Sequence, residues 1–122
     1  MAPTAKRMAT TIKTKTPQFL KELVERVVKA ASPSRVILFG SRARNDAGAR
    51  SDVDLLVVVK SVKSRRALAA KIYEALADIH VPADVVVATE DDLRKNRGVR
   101  GALVDRALEE GVTLYAAQRP RP

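Results

Sequence analysis

The sequence predicts a small domain of the α/β (α+β) type: a mixed β-sheet of about four strands flanked by helices. Three observations lead there. Stretches with apolar residues at every third or fourth position alternate with short runs rich in valine, isoleucine and leucine. Proline or glycine punctuates many of the junctions between them. The chain has 122 residues, 46% of them hydrophobic, enough for one buried core and too few for two.

Taken in order, residues 1–15 are rich in Thr, Ala and Lys with no apolar period, and read as a flexible basic arm. Thr16 can cap a helix whose first position is Pro17. Leu20, Leu23, Val24, Val27, Val28 and Ala31 then form one apolar face, and Pro33 ends it. Residues 35–39 form an apolar run expected to be a buried strand, and a short helix is expected over 41–46. Asn45 to Gly48 carry a turn signal, and 53–59 is the second strand. Ser64 caps a helix expected to reach about residue 80, with Leu68, Ile72, Ala75, Leu76 and Ile79 facing inward. Pro82 breaks it, and 83–87 is the third strand. A helical region opens at Glu90 and is loosened by Gly98 and Gly101. Leu103, Val104, Ala107 and Leu108 stripe the last helix, Gly111 stops it, and 112–115 makes a short edge strand. The folded domain is thus expected over 16–115, with 116–122 a disordered tail.

Composition narrows the function classes. No apolar run is long enough to span a membrane, and the start lacks a signal-peptide pattern. Cysteine is absent, which excludes disulfides and thiolate metal sites and fits a cytoplasmic protein. Aromatic residues are 3%, too few for a base-stacking platform, so nucleic acid is a less favoured partner despite a net charge of +9. Much of that charge comes early: Lys6, Arg7, Lys13, Lys15 and Lys21 all precede the first acid, Glu22.

The chemistry concentrates around the second strand. Gly40 and Ser41 directly follow the first strand; ten residues (42–51) intervene; then Asp52, Val53 and Asp54 open the next run. Residues i and i+2 of a strand share a face, so Asp52 and Asp54 project together. Paired carboxylates repel unless a cation lies between them, and magnesium bound to a nucleotide triphosphate is the usual answer. Gly40 lets the backbone approach a phosphate, and Ser41 offers a hydroxyl and an N–H at a helix start. Arg42 and Arg44 stand ready to pair with phosphate, a surface salt bridge being the bland alternative for Arg42. Asp84 heads the third strand as Asp54 heads the second; if the two strands are neighbours, the carboxylates converge, and otherwise Asp84 makes a turn hydrogen bond.

Other residues take structural readings. His80 suits a helix end, and Tyr73 and Tyr115 suit packing. Arg94, Lys95, Arg97 and Arg100, and also Lys60, Lys63, Arg65 and Arg66, are either solvated faces or surfaces that dock an acidic partner.

The arrangement of Gly40, Ser41, Asp52 and Asp54 resembles the signature of the nucleotidyltransferase superfamily typified by DNA polymerase beta and kanamycin nucleotidyltransferase, and is most similar to its minimal members. The resemblance covers about 19–115; Asn45 stands where the family often has Gly. It implies the nucleotidyltransferase fold, with Asp52, Asp54 and Asp84 holding metal and Asp84 acting as general base. Gly40, Ser41 and Arg42 would bind the nucleotide. The implied substrate is ATP with Mg2+ or Mn2+. The acceptor surface is expected from another chain, from an oligomer or from the acceptor itself. Minimal members of this kind imply a HEPN-domain toxin as partner in a hetero-oligomer, silenced by AMP transfer to a tyrosine hydroxyl, with this chain as antitoxin. The alternatives are an antitoxin that acts by contact alone, and a nucleotidyltransferase acting on a small molecule or RNA.

Overall fold

The computed structural model describes residues 18–40, 53–79 and 81–117. The expected basic arm, Thr16, Pro17, the helix expected over 41–46, His80 and the tail from residue 118 lie outside these. The described elements are α1 (Gln18–Ala31), β1 (Arg35–Phe39), β2 (Val53–Val59), α2 (Arg65–Ala75), β3 (Ala83–Thr89), α3 (Glu90–Asn96), α4 (Leu103–Glu110) and β4 (Val112–Ala116).

Helix α1 forms because its apolar residues recur at helical spacing: Leu20, Leu23, Val24, Val27 and Val28 are all buried, while Glu22, Glu25 and Lys29 face solvent. It ends where Ser32 turns into the left-handed region (φ 47°) and its N–H reaches the Val28 carbonyl at 2.9 Å; Pro33 then forbids continuation. Helix α2 lies against α1. Arg26 binds the Ala75 carbonyl at 2.9 Å and Asp78 at 2.5 Å, tying the end of α2 to the middle of α1.

The four strands run in the order β3-β2-β1-β4. β1 is antiparallel to both β2 and β4, and β2 is parallel to β3, so the sheet is mixed. The β1–β4 register shifts between Val36 and Ile37. Alternation sends Leu55, Val57, Val36 and Leu38 to one face, under α1 and α2. Leu56, Val58, Ile37 and Phe39 go to the other, where Leu93 of α3 and Ala107 of α4 cover them. Two apolar clusters thus sandwich the sheet, and β2 is buried on both faces apart from Asp54.

Three boundaries differ from the sequence reading. Helix α2 ends at Ala75, with Leu76 as its cap, instead of reaching residue 80. Ile79 still packs on the core from the following turn, so the apolar period outlasts the helix. Strand β3 continues to Thr89 because Ala88 and Thr89 pair with Val58 and Val59. Strand β4 reaches Ala116, opposite Arg35, and the Ala117 N–H donates to the Ser34 carbonyl at 2.9 Å. Gly111 does close α4, but with φ −78° and not in the left-handed region. Its reason is space: a Cβ there would strike the Ala107 carbonyl and Ile37 Cγ2 and stand 3.1 Å from the Leu38 carbonyl oxygen. Gly111 therefore lets the helix end press against β1.

Candidate active site

The parallel pairing of β2 with β3 aligns Asp54 with Asp84 residue for residue, while the antiparallel pairing with β1 sets Phe39 opposite Asp54. Paired residues on adjacent strands project to the same face, about 4.8 Å apart in the plane of the sheet. Asp54 and Asp84 therefore stand side by side, on the face that carries Leu56, Val58 and Ala88. Asp54 is half-buried and Asp84 is exposed. Beyond Asp54 and Asp84 on this face the apolar cluster begins, so the carboxylates mark the open end of an otherwise greasy surface.

Gly40 closes the third side. It follows β1 with φ +81°, a conformation costly for any residue with a side chain. An added Cβ would stand 3.1 Å from Asp54 Cγ and closer still to Oδ2. The turn leaving β1 thus rests against the Asp54 carboxylate, and glycine is required there for both backbone and room. Gly40 and the start of β2 at Val53 thus stand at the same corner of the sheet. Of the expected site residues, Gly40, Asp54 and Asp84 come together at this corner. Ser41, Arg42, Arg44 and Asp52 lie outside the described residues. Among the described residues no group of three His, Cys, Asp or Glu side chains forms a metal cage. The two carboxylates offer only hard oxygen donors, which suits magnesium or manganese and not a soft metal.

Two supporting contacts escaped the sequence reading. Tyr73, expected to be a packing residue, is 42% exposed, and its hydroxyl accepts a hydrogen bond from the Val85 N–H at 2.7 Å. It ties α2 to the edge strand β3 at the residue after Asp84. Nothing in the spacing of Tyr73 announces this, because the contact depends on how α2 lies over the sheet. The second was legible. Thr89 and Asp92 make a reciprocal capping box: Thr89 Oγ1 accepts from the Asp92 N–H at 3.0 Å, and Asp92 accepts from the Thr89 N–H at 2.9 Å. That box starts α3 at the far end of β3 and gives the strand a defined stop.

Among the described residues no helix is long and apolar enough to cross a membrane. No curated protein matches the chain. Among solved structures, a Sulfolobus solfataricus protein assigned as a nucleotidyltransferase is 28% identical, with a TM-score of 0.52, the match covering 79% of this chain and 76% of that one. A toxin–antitoxin structure solved with AMP-PNP is 22% identical, with a TM-score of 0.50 over 80% of this chain and 74% of that one; it bears on the fold alone. The family profile of the nucleotidyltransferase domain matches residues 18–114, a span that runs from the start of α1 into β4 and includes the corner where Asp54 meets Asp84. On that match the chain belongs to the nucleotidyltransferase domain family.

Proposed function

We propose that this protein transfers AMP from ATP to a tyrosine hydroxyl of a partner HEPN-domain toxin, and so acts as its antitoxin. The observation that carries the reading is the register of Asp54 against Asp84, with the Gly40 turn packed on Asp54. It supports a site for two charged oxygens at the mouth of a phosphate-holding turn. Family membership supports nucleotidyl transfer. That a structure of the same fold is a toxin–antitoxin solved with AMP-PNP is in keeping with a partner protein and an adenine nucleotide.

In this reading Gly40, Ser41 and Arg42 hold the triphosphate, with Gly40 keeping side-chain bulk away from it. Asp54 is fixed on a central strand and orients the donor end. Asp84 takes the proton of the acceptor hydroxyl. The hydroxyl oxygen forms a bond to the α-phosphorus, the bond from that phosphorus to the bridging oxygen breaks, and pyrophosphate leaves with the electron pair. Asp52, Asp54 and Asp84 would hold Mg2+ or Mn2+, which neutralises charge on the attacking and leaving oxygens. A divalent cation there would offset the negative charge that Asp54 and Asp84 bring side by side.

The test uses ATP labelled on the α-phosphate, the purified protein and the product of a neighbouring reading frame encoding a small helical protein. Label on the partner from α-labelled but not γ-labelled ATP, reduced about a hundredfold or more in Asp54→Ala and Asp84→Asn, is the expected result. Label from γ-labelled ATP would mean phosphorylation and end the proposal. Full neutralisation of the partner by Asp54→Ala, with no label in any arm, would instead favour an antitoxin acting by contact.

A further inference from the structure

A second feature lies at the opposite end of the sheet. Between the end of α1, the end of β2 and the start of α2 a cleft opens, and Lys29, Lys60, Lys63 and Lys71 line it. All four are exposed, and none makes an ion pair among the described residues. Among the described residues no acidic side chain lines the cleft. The nearby Glu90 is engaged by the Ser34 hydroxyl at 2.6 Å and by Arg35 at 3.2 Å. Helix α2 borders the cleft through Leu68 and Lys71, and its first turn carries no acid to offset the lysines. The floor is apolar, with Val62 and Leu68 half-buried.

From Asp54 to Val59 the strand advances about 17 Å, at about 3.3 Å per residue, so the cleft is remote from the candidate active site. It is not a place where the triphosphate held at Gly40 would reach. What it offers is a sustained positive field over a strip of apolar surface. Four ammonium groups around one cleft set up a positive potential that favours a negatively charged occupant. Among the described residues no arginine and no aromatic side chain lines the cleft. Those are the groups that grip phosphate in a fork and stack on bases, so nucleic acid is the poorer fit. Lysines around an apolar floor suit a polypeptide whose carboxylates meet the ammonium groups while its aliphatic carbons cover the floor.

We propose that the cleft lined by Lys29, Lys60, Lys63 and Lys71 docks an acidic segment of a partner protein. As the means by which a protein acceptor is held, it rests on the function proposed above. As a binding surface for acidic polypeptide, it stands without it. Docking at one end of the sheet leaves the Asp54–Asp84 corner open for a hydroxyl from the same or another partner molecule.

The experiment measures binding of a fluorescein-labelled decaglutamate peptide to the full chain by anisotropy, at about 50 mM and about 300 mM salt. The variant Lys29→Gln/Lys60→Gln/Lys63→Gln/Lys71→Gln is compared with Lys95→Gln/Arg97→Gln/Arg100→Gln/Arg106→Gln, which removes the same charge elsewhere. All eight positions but none of the core are touched, and thermal melts verify folding. The cleft variant should bind about thirtyfold more weakly at low salt, the control less than about threefold. Equal loss in the two variants would mean unspecific attraction to a basic protein and overturn the proposal. Tighter binding of a 12-nucleotide RNA than of the peptide, lost in the cleft variant, would overturn it in favour of nucleic acid. Because no ATP is present, the result is independent of transfer activity: peptide binding here, together with no label on the partner in the separate assay with α-labelled ATP, would sink the catalytic reading and leave the docking surface in place.

Discussion

Replacing Gly40 with alanine tests the link between the turn and the carboxylate. Two costs are separable. The backbone sits at φ +81°, where a side chain costs about 1–2 kcal/mol. In a domain of this size that lowers Tm by roughly 5–10 °C. The second cost is local: the new methyl would stand 3.1 Å from Asp54 Cγ, so the carboxylate must rotate or the turn must lift. Gly98 and Gly101 supply the controls. They share the left-handed backbone (φ +81° and +86°), yet a Cβ at either meets nothing within 4 Å. Gly98→Ala and Gly101→Ala should therefore show the backbone cost alone and leave the proposed transfer at its unmodified rate. Gly40→Ala should lose at least as much Tm and, in addition, about a hundredfold in transfer rate, since a carboxylate displaced by about 1 Å costs that much. Thermal unfolding by circular dichroism and initial rates from α-labelled ATP measure the two effects. If Gly40→Ala melts like the controls and keeps its full rate, the contact with Asp54 has no functional weight and the reasoning fails.

Further outcomes are expected elsewhere. Thr89→Ala removes the acceptor for the Asp92 N–H and should cost about 1 kcal/mol, a Tm drop of about 5 °C, whereas Thr89→Ser should restore most of it. Tyr73→Phe breaks the bond to the Val85 N–H; a loss of about 1 kcal/mol and faster hydrogen exchange at the Val85 amide are expected by NMR. Burial raises the Tyr115 phenol above its ordinary value of 10.0. The folded protein thus holds that proton more tightly than the unfolded chain, so the stability involved is complete below about pH 10 and is lost as pH rises through the folded value. In Tyr73→Phe, where Tyr115 is the one remaining tyrosine, a phenolate absorbance titration should show a step above pH 10; a step at or below 10 would contradict the burial.

Much of the fold could be read from residue patterns because single elements obey local rules. The spacing of Leu20, Leu23, Val24, Val27 and Val28 leaves α1 no alternative face to bury, and the apolar run from Val53 to Val59 is what a strand covered on both sides requires. What local rules do not carry is partnership. That β2 runs parallel to β3 and antiparallel to β1 depends on the path of the connections, and it is this pairing that brings Asp84 level with Asp54. Ends were misjudged for the same reason: Ala88 and Thr89 join β3 because Val58 and Val59 offer them a ladder, and Ile79 packs without being helical. The Tyr73 contact and the crowding around Gly111 are likewise properties of packed elements, invisible along the chain.

Strand β2 lends Leu55 and Val57 to one apolar cluster and Leu56 and Val58 to the other. Neither half of the interior can loosen while the other persists, because the same backbone is the floor of one and the ceiling of the other. Melting should accordingly run as a single step, with no surviving half-molecule. Asp54, near the start of that strand, is thereby tied to both halves of the interior at once.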